Sequence, residues 1–133
     1  MIKSFLLTAI VLSMFCTSAY AANEYLLAEH VSSIGIAQTA LVQGDDLNFT
    51  CCVGVSDNTT QSVTVEIDGS IMTDVWSQAI SITANIGNII NNNGNCGTIS
   101  LQPYKWLRAK IQTITGGTSP KVTVRCRGMG YYK

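Results

Sequence analysis

The stretch SVTVEIDGSIMTDVW, residues 62–76, decides the fold class of this chain. Its first half alternates, with Val63, Val65 and Ile67 on one face of an extended strand and polar residues on the other. β-branched apolar residues at a period of two are typical of a half-buried β-strand. We expect residues 68–70 to end this strand in a turn, and Trp76 to anchor the core.

The same alternation recurs on both sides of this stretch. It predicts strands near residues 47–55, 80–83, 106–115 and 121–127, besides an N-terminal strand at 25–31. Polar residues 56–61 and the turn at 116–120 each predict a hairpin between their flanking strands. The Asn/Gly-rich residues 84–97 predict a long loop. About six to eight short strands without a helical period predict an all-β fold, a single antiparallel, jelly-roll-like β-sandwich with two disulfides.

The first 21 residues have the pattern of an export signal. Lys3 precedes an apolar run at 5–16, and Ala19-Tyr20-Ala21 matches a signal peptidase site. The apolar run is too short to span a membrane, which takes about 20 residues. We therefore expect residues 1–21 to be cleaved, residues 22–133 to form one domain, and the mature protein to be secreted, extracellular or periplasmic, without a membrane span.

Four cysteines remain after the signal peptide, and an exported chain predicts that they form two disulfides. Zinc binding would need paired C-x₂-C spacings and usually more histidine than the single His30. Cys51 and Cys126 share the inward parity of their strands, whereas Cys52 points outward. We therefore favour the pairs Cys51–Cys126 and Cys52–Cys96.

The charges are segregated along the chain. All eight acidic residues lie between residues 24 and 74, and every basic residue except Lys3 lies between 105 and 133. Two outcomes are open. Acidic strands can pair with basic strands in the folded sheet, where cross-strand pairs contribute about 0.2–1 kcal/mol each. Alternatively, the charges stay separated in space and drive head-to-tail association.

The predicted C-terminal hairpin also places one candidate binding face. By parity, five side chains project from its outer surface: Trp106, Arg108, Lys110, Arg125 and Arg127. A basic face with an exposed tryptophan suits a glycan or another anionic surface polymer. Export argues against nucleic acid as the partner, and nucleic-acid binding by such a basic face would not depend on base sequence.

The sequence lacks the residues that catalysis needs. It contains no G-x-S-x-G, H-E-x-x-H or phosphate-binding loop, and its single histidine and scattered acids make no catalytic set. We therefore expect no enzyme activity, no cofactor and no metal site.

Three segments, VTVEIDGSIMTDVW, YKWLRAKIQTITGG and KVTVRC, together resemble a pattern in the small jelly-roll modules of phage virion and surface-appendage proteins. The resemblance covers residues 63–126. It implies a sandwich or jelly-roll fold and a structural or adhesive role, and it brings no catalytic residues. The export signal and the four remaining cysteines depart from a virion protein and favour a cell-surface or periplasmic setting.

These observations predict a non-enzymatic exported structural or adhesive protein, a subunit of an extracellular fibre or surface assembly, whose partners are further copies or other surface proteins. An apolar N-terminal segment could add to a neighbour as a strand. The candidate assembly residues are Tyr25, Leu26, Leu27, Val31, Ile34 and Ile36. The alternative is a monomeric secreted binding module for a glycan or anionic polymer, which uses the basic face.

Overall fold

The computed structural model describes residues 23–90 and 94–130, so the predicted signal peptide lies outside the described residues. Eight strands and one short helix follow each other along this part of the chain. They are β1 (Asn23–Val31), β2 (Gly35–Leu41), β3 (Asp46–Val55), β4 (Thr60–Met72), β5 (Val75–Asn85), α1 (Ile86–Ile90), β6 (Asn95–Ile99), β7 (Trp106–Gly116) and β8 (Val122–Gly130).

The strands form two four-stranded antiparallel sheets, which confirms the predicted sandwich. Sheet A has the order β1-β8-β3-β6, and sheet B has the order β2-β7-β4-β5. Strand β1 pairs with β8, β2 with β7, β3 with β6 and β4 with β5. This nested pairing is that of one long antiparallel hairpin rolled up into a jelly-roll-like double sheet.

The core lies between the inward faces of the two sheets. The predicted inward residues of β4, β7 and β8 are buried there: Val63, Val65, Ile67, Leu107, Ala109, Ile111, Val122, Val124 and Cys126. Sheet A adds Leu27, Phe49 and Val53. Alternation alone predicted these faces correctly, because successive side chains of a strand point to opposite sides.

Both predicted hairpins are wrong. Strands β3 and β4 belong to different sheets, as do β7 and β8, so the two connections cross between the sheets. Asp57 ties these crossings together, since its Oδ2 accepts hydrogen bonds from the backbone N–H groups of Thr118 (2.8 Å) and Ser119 (2.7 Å). A short polar segment between two alternating strands is compatible with a connection between two sheets as well as with a hairpin within one sheet. The sequence pattern therefore could not distinguish the two.

The predicted turn at residues 68–70 is also wrong, because β4 runs on to Met72. A Cβ at Gly69 would collide with the ring of Tyr104, so glycine is required here for close packing. The chain reverses after Met72 instead. Trp76 then lies half-buried on the outer side of sheet B, and does not anchor the core as predicted.

Residues 84–97 are not one long loop. They contain the end of β5, the helix α1 and the start of β6, with residues 91–93 outside the described part. Cys96 therefore lies in a strand.

Both predicted disulfides are confirmed. Cys51 bonds to Cys126 and Cys52 bonds to Cys96, and in each pair the cysteines are direct cross-strand partners. The first bridge is buried between the sheets, and the second lies on the outer side of sheet A, where Cys96 is exposed. This agrees with the opposite parities of Cys51 and Cys52.

Candidate functional site

The five residues of the predicted basic face do not share one surface. Trp106, Arg108 and Lys110 project from the outer side of sheet B, whereas Arg125 and Arg127 project from the outer side of sheet A. The sandwich therefore lies between the two groups. The prediction failed because it assumed that β7 and β8 pair.

Sheet B places an unexpected set of side chains around Arg108. The Nε of Arg108 donates to Asp68 Oδ2 at 3.0 Å, and its guanidinium carbon lies 4.2 Å from the centroid of the Trp76 ring. Trp76 is on β5 and Arg108 on β7, so the arginine side chain reaches across β4. We call Trp76, Arg108 and Asp68 the Trp–Arg cluster; Trp106 lies two residues before Arg108 on the same outer face. Asp68 and Trp76 were missed as site residues because a turn and a core position were predicted for them.

Asp68 is an unusual member of this cluster. It is only 3% exposed although it faces the outer side of the sheet, and its Oδ1 is buried without a hydrogen-bond partner among the described residues. Glu66 is the next outward residue of β4. The neighbouring Asp68 carboxylate and partial burial raise the pKa of Glu66. Two ionised carboxylates cannot bond each other, so Oδ1 gains a donor from Glu66 only when that group is protonated.

Opposite charges meet across the strands of sheet B. Arg108 and Asp68 are register partners and form an ion pair, and Lys110 is the register partner of Glu66. The segregation along the sequence therefore cancels in space on this sheet, the first of the two predicted outcomes. On sheet A, Arg127 lies opposite Glu24, and Arg125 lies opposite Leu26 and Cys52.

The candidate assembly residues fall into two groups. Tyr25 and Leu27 are buried in the chain's own core and Leu26 and Val31 are half-buried, because β1 pairs with β8. Ile34 and Ile36, around the start of β2, are 66% and 55% exposed. The exposed apolar part of the segment is therefore its β2 end.

Strands β2 and β5 form the two edges of sheet B. Neither strand contains a charged residue or proline. Exposed apolar side chains accompany both edges, with Ile36 and Leu41 on β2 and Val75 on β5. Natural sheets usually protect their edges with lysine, proline or inward charges. Both edges have a register irregularity, between Ile36 and Thr39 on β2 and between Gln78 and Ile80 on β5, but neither carries the charges or proline that would block pairing with another strand.

A cleft of about 550 Å³ opens at one end of the sandwich. It is lined by Gly44, Asp45, Asp46, Leu47, Pro103, Tyr104 and Lys105. The buried Asp46 carboxylate accepts hydrogen bonds at Oδ2 from the Tyr25 hydroxyl (2.5 Å) and Asn23 Nδ2 (3.0 Å). These bonds hold β1 against β3, so this carboxylate has a structural role.

Within residues 23–90 and 94–130, no three His, Cys, Asp or Glu side chains are grouped closely enough to hold a metal ion. In the same part of the chain, no helix has the length and hydropathy to cross a bilayer.

Comparisons with known proteins give a fold but no family. No protein-family model matches the chain, and no curated protein is significantly similar to it. Among solved structures, it is similar to the SPBc2 prophage-derived protein YomS, with a TM-score of 0.55, 13% sequence identity and coverage of 81% of this chain and 92% of that chain. The neighbour's prophage origin agrees in part with the resemblance to phage proteins. At this identity the likeness shows a shared sandwich fold alone.

Proposed function

We propose that this chain is an exported, non-enzymatic structural and adhesive protein whose copies join through the edges of sheet B into a fibre or surface assembly. The observation that carries the proposal is the pair of uncharged, apolar edge strands, β2 and β5, on opposite sides of one sheet. The two disulfides support an oxidising, extracytoplasmic setting, where such bonds persist.

The strand directions favour a second copy of the chain as the partner. All neighbours in sheet B are antiparallel, so β2 runs with β4 and against β5. A copy shifted along the sheet without rotation would bring its β2 beside β5 of the first in antiparallel orientation. Antiparallel pairing is the arrangement that continues the existing ladder.

Such a contact does not close on itself. It joins two different edges, so each added copy presents a new β2 or β5 edge, and heterologous contacts of this kind generate open filaments. The twist between neighbouring strands would make the filament helical. The end of β5 nearest β6 is partly occupied, since Asn95 Nδ2 donates to the carbonyl of Thr83 at 2.7 Å. Pairing would therefore use the first part of β5, residues 75–82.

Edge pairing can be tested with one lysine on each edge. Gln38→Lys places a charge on exposed β2, and Ser81→Lys places one on exposed β5. Thr113→Lys, on the exposed side of the inner strand β7, is the matched control. We would measure association of oxidised residues 22–133, which include every described residue, by sedimentation velocity at low and high salt.

We expect wild-type protein and Thr113→Lys to form large species that persist at high salt, since edge pairing depends on backbone hydrogen bonds. Each edge variant should be monomeric alone, and the two mixed should form dimers, because one supplies an intact β5 and the other an intact β2. A monomeric wild type at all concentrations would refute the proposal. An edge variant that still assembles alone would show that the contact uses another surface.

A further inference from the structure

The outer face of sheet B carries both tryptophans of the chain. Trp106 on β7 is the register partner of Ser70 on β4. On the other side of β4, Ser77 of β5 is the register partner of Gly69, so Trp76, the residue before Ser77, lies next to Ser70. The two indoles therefore flank Ser70 on strands separated by about 9–10 Å, two strand spacings. Leu41, half exposed, lies beside Trp106 as its partner on β2.

An unmet hydrogen-bonding requirement lies in the next row of this face, where Asp68 is flanked by Arg108 and Gln78. Asp68 is the outward residue of β4 two positions before Ser70, and its Oδ1 is buried without a hydrogen-bond partner among the described residues. A buried carboxylate oxygen without a hydrogen-bond partner is destabilising, so such an atom requires an explanation. The half-buried Glu66 side chain interacts with Asp68, and it can donate a hydrogen bond to this carboxylate only in its protonated form.

The cluster is already ordered before any ligand arrives. The Arg108 guanidinium is held by Asp68 on one side and by the Trp76 ring beneath it. Glu66 in turn accepts a hydrogen bond from Gln112 Nε2. A site whose side chains are fixed in advance loses less entropy on binding.

The balance of charge selects the class of ligand. Arg108 is neutralised by Asp68 and Lys110 lies opposite Glu66, so this face has no excess of positive charge. The surrounding outward residues are uncharged: Thr39 and Gln78 offer hydrogen-bonding groups, and Ile36 and Leu41 are exposed and apolar. A polyanion would gain little here, whereas a molecule with apolar C–H faces and many hydroxyl groups could use both the indoles and the polar atoms.

We infer that the outer face of sheet B binds a neutral oligosaccharide, with Trp106 as the stacking surface for a sugar ring and Asp68 Oδ1 as the acceptor for a sugar hydroxyl. Admitting that hydroxyl requires Glu66 to move and its hydrogen bond from Gln112 to break, so the part of the site that is fixed in advance is Arg108, Asp68 and Trp76. Arg108 is a positioning residue, which holds Asp68 and Trp76 in place. This neutral site takes the place of the basic face that the sequence predicted for a glycan or an anionic polymer, and it keeps Trp106 and Arg108 of that face.

This inference does not depend on the proposed assembly. Edge pairing buries the sides of the sheet and leaves its outer face open, so a single copy has a complete site. In a filament the site would recur once per copy along one surface. Repeated weak sites on one body bind a repeating polymer far more tightly than a single site does.

Intrinsic fluorescence gives a direct test, because both tryptophans lie in the proposed site. We would titrate oxidised residues 22–133 with three neutral probes, cellohexaose, chitohexaose and mannohexaose, and with an alginate hexamer as the anionic probe. At least one neutral probe should change the emission saturably. Trp106→Ala should weaken that binding about tenfold or more, and Trp106→Phe, which retains an aromatic ring, should weaken it less.

The matched control is the double variant Arg125→Ala/Arg127→Ala on the outer side of sheet A, which should bind the neutral probe as the wild type does. Circular dichroism and intact disulfides would establish that each variant is folded. Three results would overturn the inference: no response to any neutral probe at millimolar concentration, neutral binding that survives Trp106→Ala, or binding of the alginate probe alone with loss in the Arg125/Arg127 variant. The Gln38→Lys variant, if monomeric, should retain the site, which separates this test from that of assembly.

Discussion

Arg108 and Asp68, 40 residues apart in the chain, form an ion pair with an Nε–Oδ2 distance of 3.0 Å on the outer side of sheet B. The carboxylate side chain is 5% exposed and the arginine side chain 21%. Arg108 thus supplies the counter-charge for an acid that is almost fully buried. The contact joins the basic C-terminal part of the sequence to the acidic part that precedes it.

Removing Arg108 should destabilise the protein more than removing any neighbouring exposed base. Arg108→Ala leaves the buried Asp68 without a counter-charge, and we expect the free energy of unfolding to fall by about 3 kcal/mol, the lower end for a broken buried pair. Arg108→Lys retains the charge and should lose less. Urea unfolding measures both. Lys110→Ala, at an exposed position, should stay within about 0.5 kcal/mol; equal losses at 108 and 110 would contradict the argument.

Asp57 should make stability dependent on acid pH. Hydrogen bonds from Thr59, Ser119 and Thr118 lower its pKa from 3.8 to about 2. Because the folded protein favours the ionised form, the stabilisation is complete above about pH 4 and is lost as the pH falls towards 2.

We therefore expect Asp57→Asn to lower the melting temperature at neutral pH, and the difference from wild type to shrink between pH 4 and pH 2. Thermal unfolding followed by circular dichroism across this range measures both effects. Asp74→Asn, in the exposed β4–β5 turn, is the control and should leave the profile unchanged. A gap between wild type and Asp57→Asn that is constant with pH would show that the ionised carboxylate does not hold the two crossings together.

Tyr25 should ionise only at high pH. Burial, then the hydrogen bond to Asp46, raises its pKa from 10.0 to about 12. The folded state favours the protonated phenol, so its contribution is present below pH 10 and is lost as the pH rises through about 12.

Tyr25→Phe removes the donor to Asp46 and the acceptor for the backbone N–H of Gln43. We expect it to cost about 1–3 kcal/mol at neutral pH, since the buried Asp46 loses a partner. Phenolate absorbance should lose the transition near pH 12 in this variant. Tyr104→Phe retains the ring over Gly69 and should change stability less; a similar loss at both positions would argue against a special role for the Asp46 bond.

The two disulfides should differ in their resistance to reduction. Cys96 is exposed and Cys52 is half-buried, whereas Cys51 and Cys126 are both inside the core. A reductant needs access to sulfur, so mild reduction of the folded protein followed by alkylation and mass spectrometry should label Cys52 and Cys96 first. Replacing Cys51 and Cys126 by alanine should cost about 2–5 kcal/mol. If Cys51 and Cys126 were labelled first, the prediction that the Cys52–Cys96 bridge is the more accessible to reductant would be wrong.

The sequence alone predicted the properties that depend on local pattern. Alternation of apolar residues identified the strands and the inward faces of β4, β7 and β8, because side-chain direction reverses at each residue of a strand whatever the strand pairs with. The same parity separated Cys51 from Cys52 and so led to the correct disulfides. Cysteine content and the N-terminal pattern predict export, which the described residues do not test.

Tertiary structure decided everything that depends on which strands become neighbours. A segment such as 116–120 can reverse the chain within one sheet or carry it to the other, and its residues are compatible with both. That choice split the predicted basic face, moved Trp76 to the surface and placed Asp68 beneath Arg108. Strand alternation is set within a few residues, whereas sheet order is set by burial of the whole core, and the candidate sites follow from sheet order.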